Sequence, residues 1–227
     1  MTDVGRSVTV ALCLQVLIVL ATTAAHAEWY VAAQTGVVLP NSLSNVTVSS
    51  PTLAGGVTDA RIADVNLKNG SPLYGARAGY FFPGREWFGL ETEVYSTQLN
   101  ITQQTVVGGV PGRVFADTMP GSHTQLTTWA VNAIVRSPSL VAELEPYGGI
   151  GPALFFSSNG DTHTNIGINL VAGARYFLTP TVALFGEFKY NRATIHFPGI
   201  QGDYSAQLFV FGLSLHFGRP LPSSREK

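Results

Sequence analysis

Tyr204-Ser205-Ala206-Gln207-Leu208-Phe209-Val210-Phe211-Gly212-Leu213-Ser214-Leu215-His216-Phe217 alternates with a period of two. Gln207, Phe209, Phe211, Leu213, Leu215 and Phe217 share one face, while Ala206, Leu208, Val210, Gly212, Ser214 and His216 share the other. Successive side chains of a β-strand point to opposite sides, so this segment reads as a strand. One of its sides is greasy throughout, and the other turns small or polar toward its end. An amphipathic helix needs apolar residues three and four apart, and no long stretch of the chain supplies them.

The same alternation recurs upstream. Trp29 to Val38 sets Val31, Ala33 and Val37 against Gln34 and Gly36, and Leu73 to Phe82 sets Tyr74, Ala76, Ala78, Tyr80 and Phe82 against Gly75, Arg77 and Gly79. Phe88 to Leu99 opposes Phe88, Leu90 and Val94 to Glu91, Glu93 and Tyr95. Leu126 to Arg136 opposes Trp129, Val131, Ala133 and Val135 to Thr128, Asn132 and Arg136. Ile166 to Phe177 and Thr181 to Phe197 repeat the pattern, with Asn169, Gly173, Arg175, Glu187, Lys189 and Asn191 on the less apolar face. Pro146 to Phe156 is Gly-rich, with Ile150, Leu154 and Phe156 on one side. The spacing predicts eight strands of about ten residues or more, the length a tilted strand needs to cross a bilayer.

Composition narrows the function classes. Of 227 residues, 45% are hydrophobic and only 12% charged, against about 25% charged in ordinary soluble domains. That balance excludes a disordered chain and argues against a cytosolic enzyme. Thirteen basic and fourteen acidic residues leave no positive excess to hold a phosphate backbone, so no nucleic-acid partner is expected. Met1 to Ala27 has the layout of a cleavable export signal: Arg6 in a short polar start, an apolar stretch from Val8 to Leu20, and Ala25-His26-Ala27 before Glu28. The stretch is shorter than the roughly 18 residues of a membrane-spanning helix, and Gln15 interrupts it. Cys13 is the only cysteine and lies within it, so the exported chain would hold no disulfide, thiolate metal site or cysteine nucleophile. The expected organisation is a signal over 1–27, a barrel over 28–217 and a short polar tail over 218–227.

The joints between strands carry independent information. Leu39 to Pro72 and Asn100 to Gln125 are long and rich in Gly, Ser, Thr, Asn and Pro, whereas Pro83 to Trp87 and Leu178 to Pro180 are tight. Asn159 to Asn165 and Pro198 to Asp203 read as shorter loops on the same side as the long ones. Ser137 to Glu145 is a longer turn on the opposite side. Long loops at one end and short turns at the other are what an all-β, eight-stranded, antiparallel up-and-down transmembrane barrel requires.

Charge decides which way the faces look. Arg77, Glu91, Glu93, Arg136, Arg175, Glu187 and Lys189 all lie opposite the bulky apolar face. In a soluble barrel they would be solvated surface, with the apolar face turned to a core. In a membrane barrel they point into the lumen, where opposite signs pair, since a charge on the lipid face costs about 2 to 4 kcal/mol at the bilayer midplane. Low total charge, bulky apolar faces and the export signal favour the membrane. Aromatic residues near strand ends suit an interfacial girdle: Trp29, Trp87, Phe88, Tyr176 and Phe217, with Tyr30, Phe81, Phe82 and Phe177 beside them.

Several fragments in this order and spacing carry a family resemblance. They are Glu28-Trp29-Tyr30-Val31, Tyr74-Gly75-Ala76-Arg77-Ala78-Gly79-Tyr80, Glu145-Pro146-Tyr147-Gly148-Gly149-Ile150-Gly151-Pro152, Ala172-Gly173-Ala174-Arg175-Tyr176-Phe177 with Glu187-Phe188-Lys189-Tyr190, and the aromatic-ended last strand. Together they resemble the small outer-membrane β-barrel domains of Gram-negative bacteria, the OmpA-like and opacity-like surface antigens. The resemblance implies an outer-membrane location among lipids and lipopolysaccharide, with barrel-insertion machinery and periplasmic chaperones as biogenesis partners. One departure is that Gly218 to Lys227 follows Phe217, where the family's last strand usually ends the chain.

Eight strands enclose a space about wide enough for side chains to fill, so a general porin is not expected. Function would then lie in the loops, serving envelope integrity or surface contact with an unknown ligand. Some barrels of this size are lipid A deacylases or acyltransferases, which need a Ser activated by a His held by a carboxylate. His123 and His163 fall in expected loops, Phe197 and Pro198 follow His196 so that a His-x-Ser pairing is missing, and His216 lies toward the inner end. The residues therefore predict a non-enzymatic protein with no cofactor and no metal. The alternatives are a lipid A-modifying barrel enzyme or a soluble exported barrel binding an apolar ligand. Asn159-Gly160-Asp161 lacks the further acidic ligands of a calcium loop and reads as a turn.

Overall fold

The computed structural model describes residues 27–50, 57–110, 112–137, 143–159, 161–197 and 200–219. Of the expected export signal and tail, segments 1–26 and 220–227 lie outside these described residues. Twelve strands follow in chain order: β1 (Glu28–Pro40), β2 (Leu43–Ser50), β3 (Val57–Val65), β4 (Ser71–Phe82), β5 (Arg85–Ile101), β6 (Gln104–Val110), β7 (Arg113–Met119), β8 (Ser122–Arg136), β9 (Leu144–Asn159), β10 (Asp161–Phe177), β11 (Val182–Phe197) and β12 (Ile200–Phe217).

Eight of them, β1, β4, β5 and β8 to β12, pair antiparallel with their neighbours, and β1 pairs with β12 to close the barrel. The seam runs without a slip from Trp29 opposite Phe217 to Pro40 opposite Ala206. Each strand expected from the alternation is present, and closure leaves the barrel wall no open edge. The tight joints after Phe82 and Phe177 lie at one end, called here the inner end. Gly84 makes the first of these possible, with a φ of 74° that a residue bearing a Cβ rarely adopts.

The long segments at the outer end are not open loops, which corrects the reading of 39–72 and 100–125. Leu39 to Pro72 contains β2 and β3, and Asn100 to Gln125 contains β6 and β7. The four extend the sheet from β12 in the order β2, β3, β6, β7. Their signal was hidden because the alternation breaks: Leu43 and Val46 are both buried although three residues apart, with Asn45 between them at a φ of 52°. Asn tolerates that left-handed conformation, and its amide is held by Asp203 at 2.8 Å. The two shorter outer joints are also tighter than expected, since β9 and β10 approach to Asn159 and Asp161, and β11 and β12 to Phe197 and Ile200.

Packing divides the interior into two layers. Leu43, Val46, Val48, Ile62, Val65 and Val106 from the added strands meet Leu73, Leu99, Leu126, Phe155, Ile195, Tyr204 and Leu208 from the barrel wall in one buried apolar cluster. This cluster fills the outer half and is capped by the added hairpins. Polar and charged side chains fill the inner half. In the inner half Gly79 leaves room for the ring of Tyr30 against the wall, since a Cβ there would overlap it.

Replacing Gly79 with Val should therefore displace Tyr30 and cost about 1 to 3 kcal/mol through overpacking. Urea unfolding of the purified barrel in detergent measures it. Gly186→Ala, where an added Cβ meets nothing within 4 Å, should leave the midpoint unchanged.

Candidate functional site

Strand alternation sends every second residue inward, so charged residues spaced two apart on β5 and β11 enter the lumen together with single residues from their neighbours. Arg77 comes from β4, Glu91 and Glu93 from β5, Arg136 from β8, Arg175 from β10, and Glu187 and Lys189 from β11. All seven are buried, none more than 6% exposed. The structure brings all of them into one network. Arg77 grips Glu187 through two nitrogens, one of them at 2.7 Å, and reaches Glu91 at 3.3 Å. Lys189 lies on Glu93 and 3.5 Å from Glu187. Glu93 also accepts from the amides of Asn169 at 2.8 Å, Gln34 at 3.1 Å and Asn132 at 3.2 Å.

The network continues through residues that the sequence reading left out. Glu145 joins Arg175 at 3.1 Å to Arg136 at 3.2 Å, and Arg136 passes to Glu28 at 2.6 Å. His216 closes the inner end with its Nδ1 2.8 Å from Glu28. Tyr30 donates to Glu91 and Tyr147 to Glu187. Rings complete the arginine environment, with Arg136 over Phe81 at 3.6 Å, Arg77 over Phe185 at 4.1 Å and Arg175 between Tyr147 and Tyr30 at 4.2 and 4.3 Å. Guanidinium planes suit such stacking and keep their edges free for carboxylates. Glu28 and Glu145 could have been found by the same parity, since each stands two residues from an inward tyrosine.

Parity also separates the aromatics. Trp29, Trp87, Phe88, Tyr176 and Phe217 all sit at the inner end, where Trp29 and Phe217 stack across the seam with centroids 4.1 Å apart. Trp29, Trp87, Tyr176 and Phe217 are 40% exposed or more. Tyr30, Phe81 and Phe177 do not join them, which corrects the wider girdle. Each is buried in the lumen because a strand cannot present adjacent residues to the same side.

A serine, a histidine and a carboxylate do come together, although spacing along the chain gave no sign of it. Ser214 Oγ is 3.0 Å from His216 Nε2, and His216 Nδ1 is 2.8 Å from Glu28. The three are 1%, 0% and 4% exposed, and the imidazole is stacked 5.0 Å from Tyr30 and meets Phe177 edge-on at 4.9 Å. A nucleophile needs an adjacent space for a reacting atom, and wall strands and rings occupy the surroundings of Ser214. The arrangement orders the imidazole and transmits hydrogen bonds. Among the described residues no group of three metal-ligating side chains is assembled.

The outward face is the reverse of the lumen. Phe211 is 60% exposed, and Leu90, Val94, Trp129, Val135, Ile168, Leu170, Leu184, Phe188, Phe209, Leu213 and Leu215 are exposed around the same wall. An open depression on it, about 580 Å³, has Val31, Ala33, Ala76, Ala78, Val94, Leu213 and Leu215 among its lining residues.

A family model described as outer membrane protein beta-barrel domain matches residues 10–217. Among solved structures, the chain resembles Neisserial surface protein A at 18% identity and a TM-score of 0.51, over 83% of this chain and 97% of that one. It also resembles OprG, an outer membrane protein of Pseudomonas aeruginosa, at 12% identity and a TM-score of 0.48, over 84% and 95%. At 18% identity the likeness to Neisserial surface protein A is one of fold alone. No curated protein matches the chain.

Removing Glu93 should leave Lys189 only its longer contacts, to Glu187 at 3.5 Å and Gln34 at 3.4 Å. Glu93→Leu is expected to cost about 3 to 5 kcal/mol, and the double variant Glu93→Leu with Lys189→Met to recover most of that. Urea midpoints in detergent check both. A double variant no more stable than the single one would show that the pair is not coupled.

Proposed function

Because the chain belongs to the outer-membrane β-barrel domain family, we propose that it acts as an integral, non-enzymatic protein of the bacterial outer membrane, serving envelope integrity or surface contact through its outer hairpins. The observation that carries this reading is the inversion of polarity across the wall. Arg175 and Lys189 are 1% and 0% exposed inside, while Phe211 is 60% exposed outside. In water such an apolar belt would drive association; among acyl chains it costs nothing. Lipids and lipopolysaccharide are then the immediate surroundings, and export after loss of the 1–27 signal, with chaperones and insertion machinery, is the route.

A lumen filled by ion pairs below and apolar side chains above supports a static plug and no solute pathway. The β2–β3 and β6–β7 hairpins project beyond the barrel wall and present the surface for a ligand. Val107 and Val114, 60% and 78% exposed on the second hairpin, lie on that surface. The burial of Ser214 and His216 supports the non-enzymatic reading.

The protein should fractionate with outer membranes and shift its gel mobility on heating. A photoactivated lipid probe should label Phe211 and Leu213 and spare Arg175 and Glu187. A periplasmic monomer stable without detergent, or the reverse labelling, would overturn the proposal. Overexpression should leave the lipid A mass spectrum unchanged; new acylation states would replace the non-enzymatic reading with a lipid-modifying one.

A further inference from the structure

The buried charges of the barrel do not balance within its wall. Glu28, Glu91, Glu93, Glu145 and Glu187 are five carboxylates, and Arg77, Arg136, Arg175 and Lys189 are four permanent cations. An unpaired charge inside a narrow, low-dielectric space is strongly unfavourable, so a fifth positive charge is required. Two groups at the inner end stand ready to provide it.

The first comes from beyond the last strand. Gly218 turns the chain with a φ of 75°, and Arg219 folds back beneath the lumen. Its guanidinium lies 3.2 Å from the centroid of Phe177 and 3.6 Å from Glu145, and its side chain is 16% exposed. Glu145 already serves Arg136 and Arg175, so Arg219 completes a carboxylate shared by three arginines.

The second is His216. Around it stand Glu28 and Tyr30 from β1, Arg136 from β8, Glu145 from β9, Arg175 from β10 and Arg219 from the tail. Its hydrogen-bond partners accommodate either charge state. Uncharged, it donates from Nδ1 to Glu28 and accepts at Nε2 from Ser214. Charged, it donates from both nitrogens, and Ser214 turns its own proton to the carbonyl of Ala183 at 3.3 Å. Neither Ser214 nor His216 loses its partners in either form.

We propose that Arg219 is a working member of the lumen network that supplies its fifth positive charge, and that His216 takes over this role by protonation when the tail is withdrawn. Gly218 and Arg219 thus form a latch on the inner mouth, and losing the latch makes the barrel sensitive to pH. With Arg219 in place the positive charge is permanent, and stability is level between pH 5.5 and 8. Without it the charge exists only where the imidazole is protonated, so stability is retained at the acidic end and lost as pH rises.

The test is urea unfolding of the full chain, purified from membranes in detergent, at pH 5.5 and pH 8. The wild type should have the same midpoint at both. Arg219→Gln should fall well below it at pH 8 and return toward it at pH 5.5. Arg219→Lys should follow the wild type, and Arg219→Gln combined with His216→Gln should be low at both values. An Arg219→Gln midpoint equal to the wild type at both pH values would overturn the proposal. So would an equal loss at both, because that would reduce Arg219 to a packing contact on Phe177.

Discussion

Nine ionisable side chains, five acidic and four basic, share the inner half of this barrel with Arg219 beneath them, none of the nine more than 6% exposed. Their mutual neutralisation is the constraint on which the rest depends. A carboxylate with water on no side must find cations and donors from whichever strands surround it. Here those partners come from seven of the eight wall strands and from Arg219. Glu91 and Glu187 both hold Arg77, and Glu145 links Arg136 to Arg175. Such pairs add little net stability compared with apolar packing of the same volume, yet breaking one member is costly. Their larger effect is on register. A strand displaced by one residue would turn its inward charges to the apolar face and its apolar belt to the lumen.

The outer half is built on a different principle. Above Asn191 and Tyr95, which share a hydrogen bond of 2.6 Å, the inward residues become Leu73, Leu99, Leu126, Phe155, Ile195 and Leu208. The outer hairpins contribute Leu43, Val46, Val48, Ile62 and Val65 to the same cluster. The extracellular-type appendage is therefore anchored by a core of its own and is continuous with the barrel, so a surface built on it has a defined shape. Rigid presentation of a few exposed residues is how loops on a stable scaffold gain binding specificity.

Much of this was readable from the chain because the wall strands obey a period of two almost without interruption. The seven inward charges share parity with Gly75, Gly79 and Asn169, and their grouping required only the assumption that both faces are continuous. The partners across the lumen were less legible. Glu28 and His216 lie 188 positions apart and meet only because the first and last strands pair. The outer hairpins were missed for a local reason: a residue at positive φ in β2 shifts the burial of Leu43 and Val46 out of alternation, and the surrounding Ser, Thr and Asn resemble a loop. Tyr30, Phe81 and Phe177 stand near strand ends yet turn inward, because parity and not distance from the strand end sets the side a residue faces.

The seam between Trp29 and Phe217 sets the order in which the molecule can come into being. The hydrogen-bonded ladder that shuts the cylinder joins the opening strand to the last one synthesised, and Glu187, Lys189 and His216 arrive only with the final two. A nascent chain emerging from the ribosome holds carboxylates and arginines whose counterparts do not yet exist, so no stable partial cylinder precedes completion. Acquisition of structure is post-synthetic by topology, with long-range pairing as its slow step.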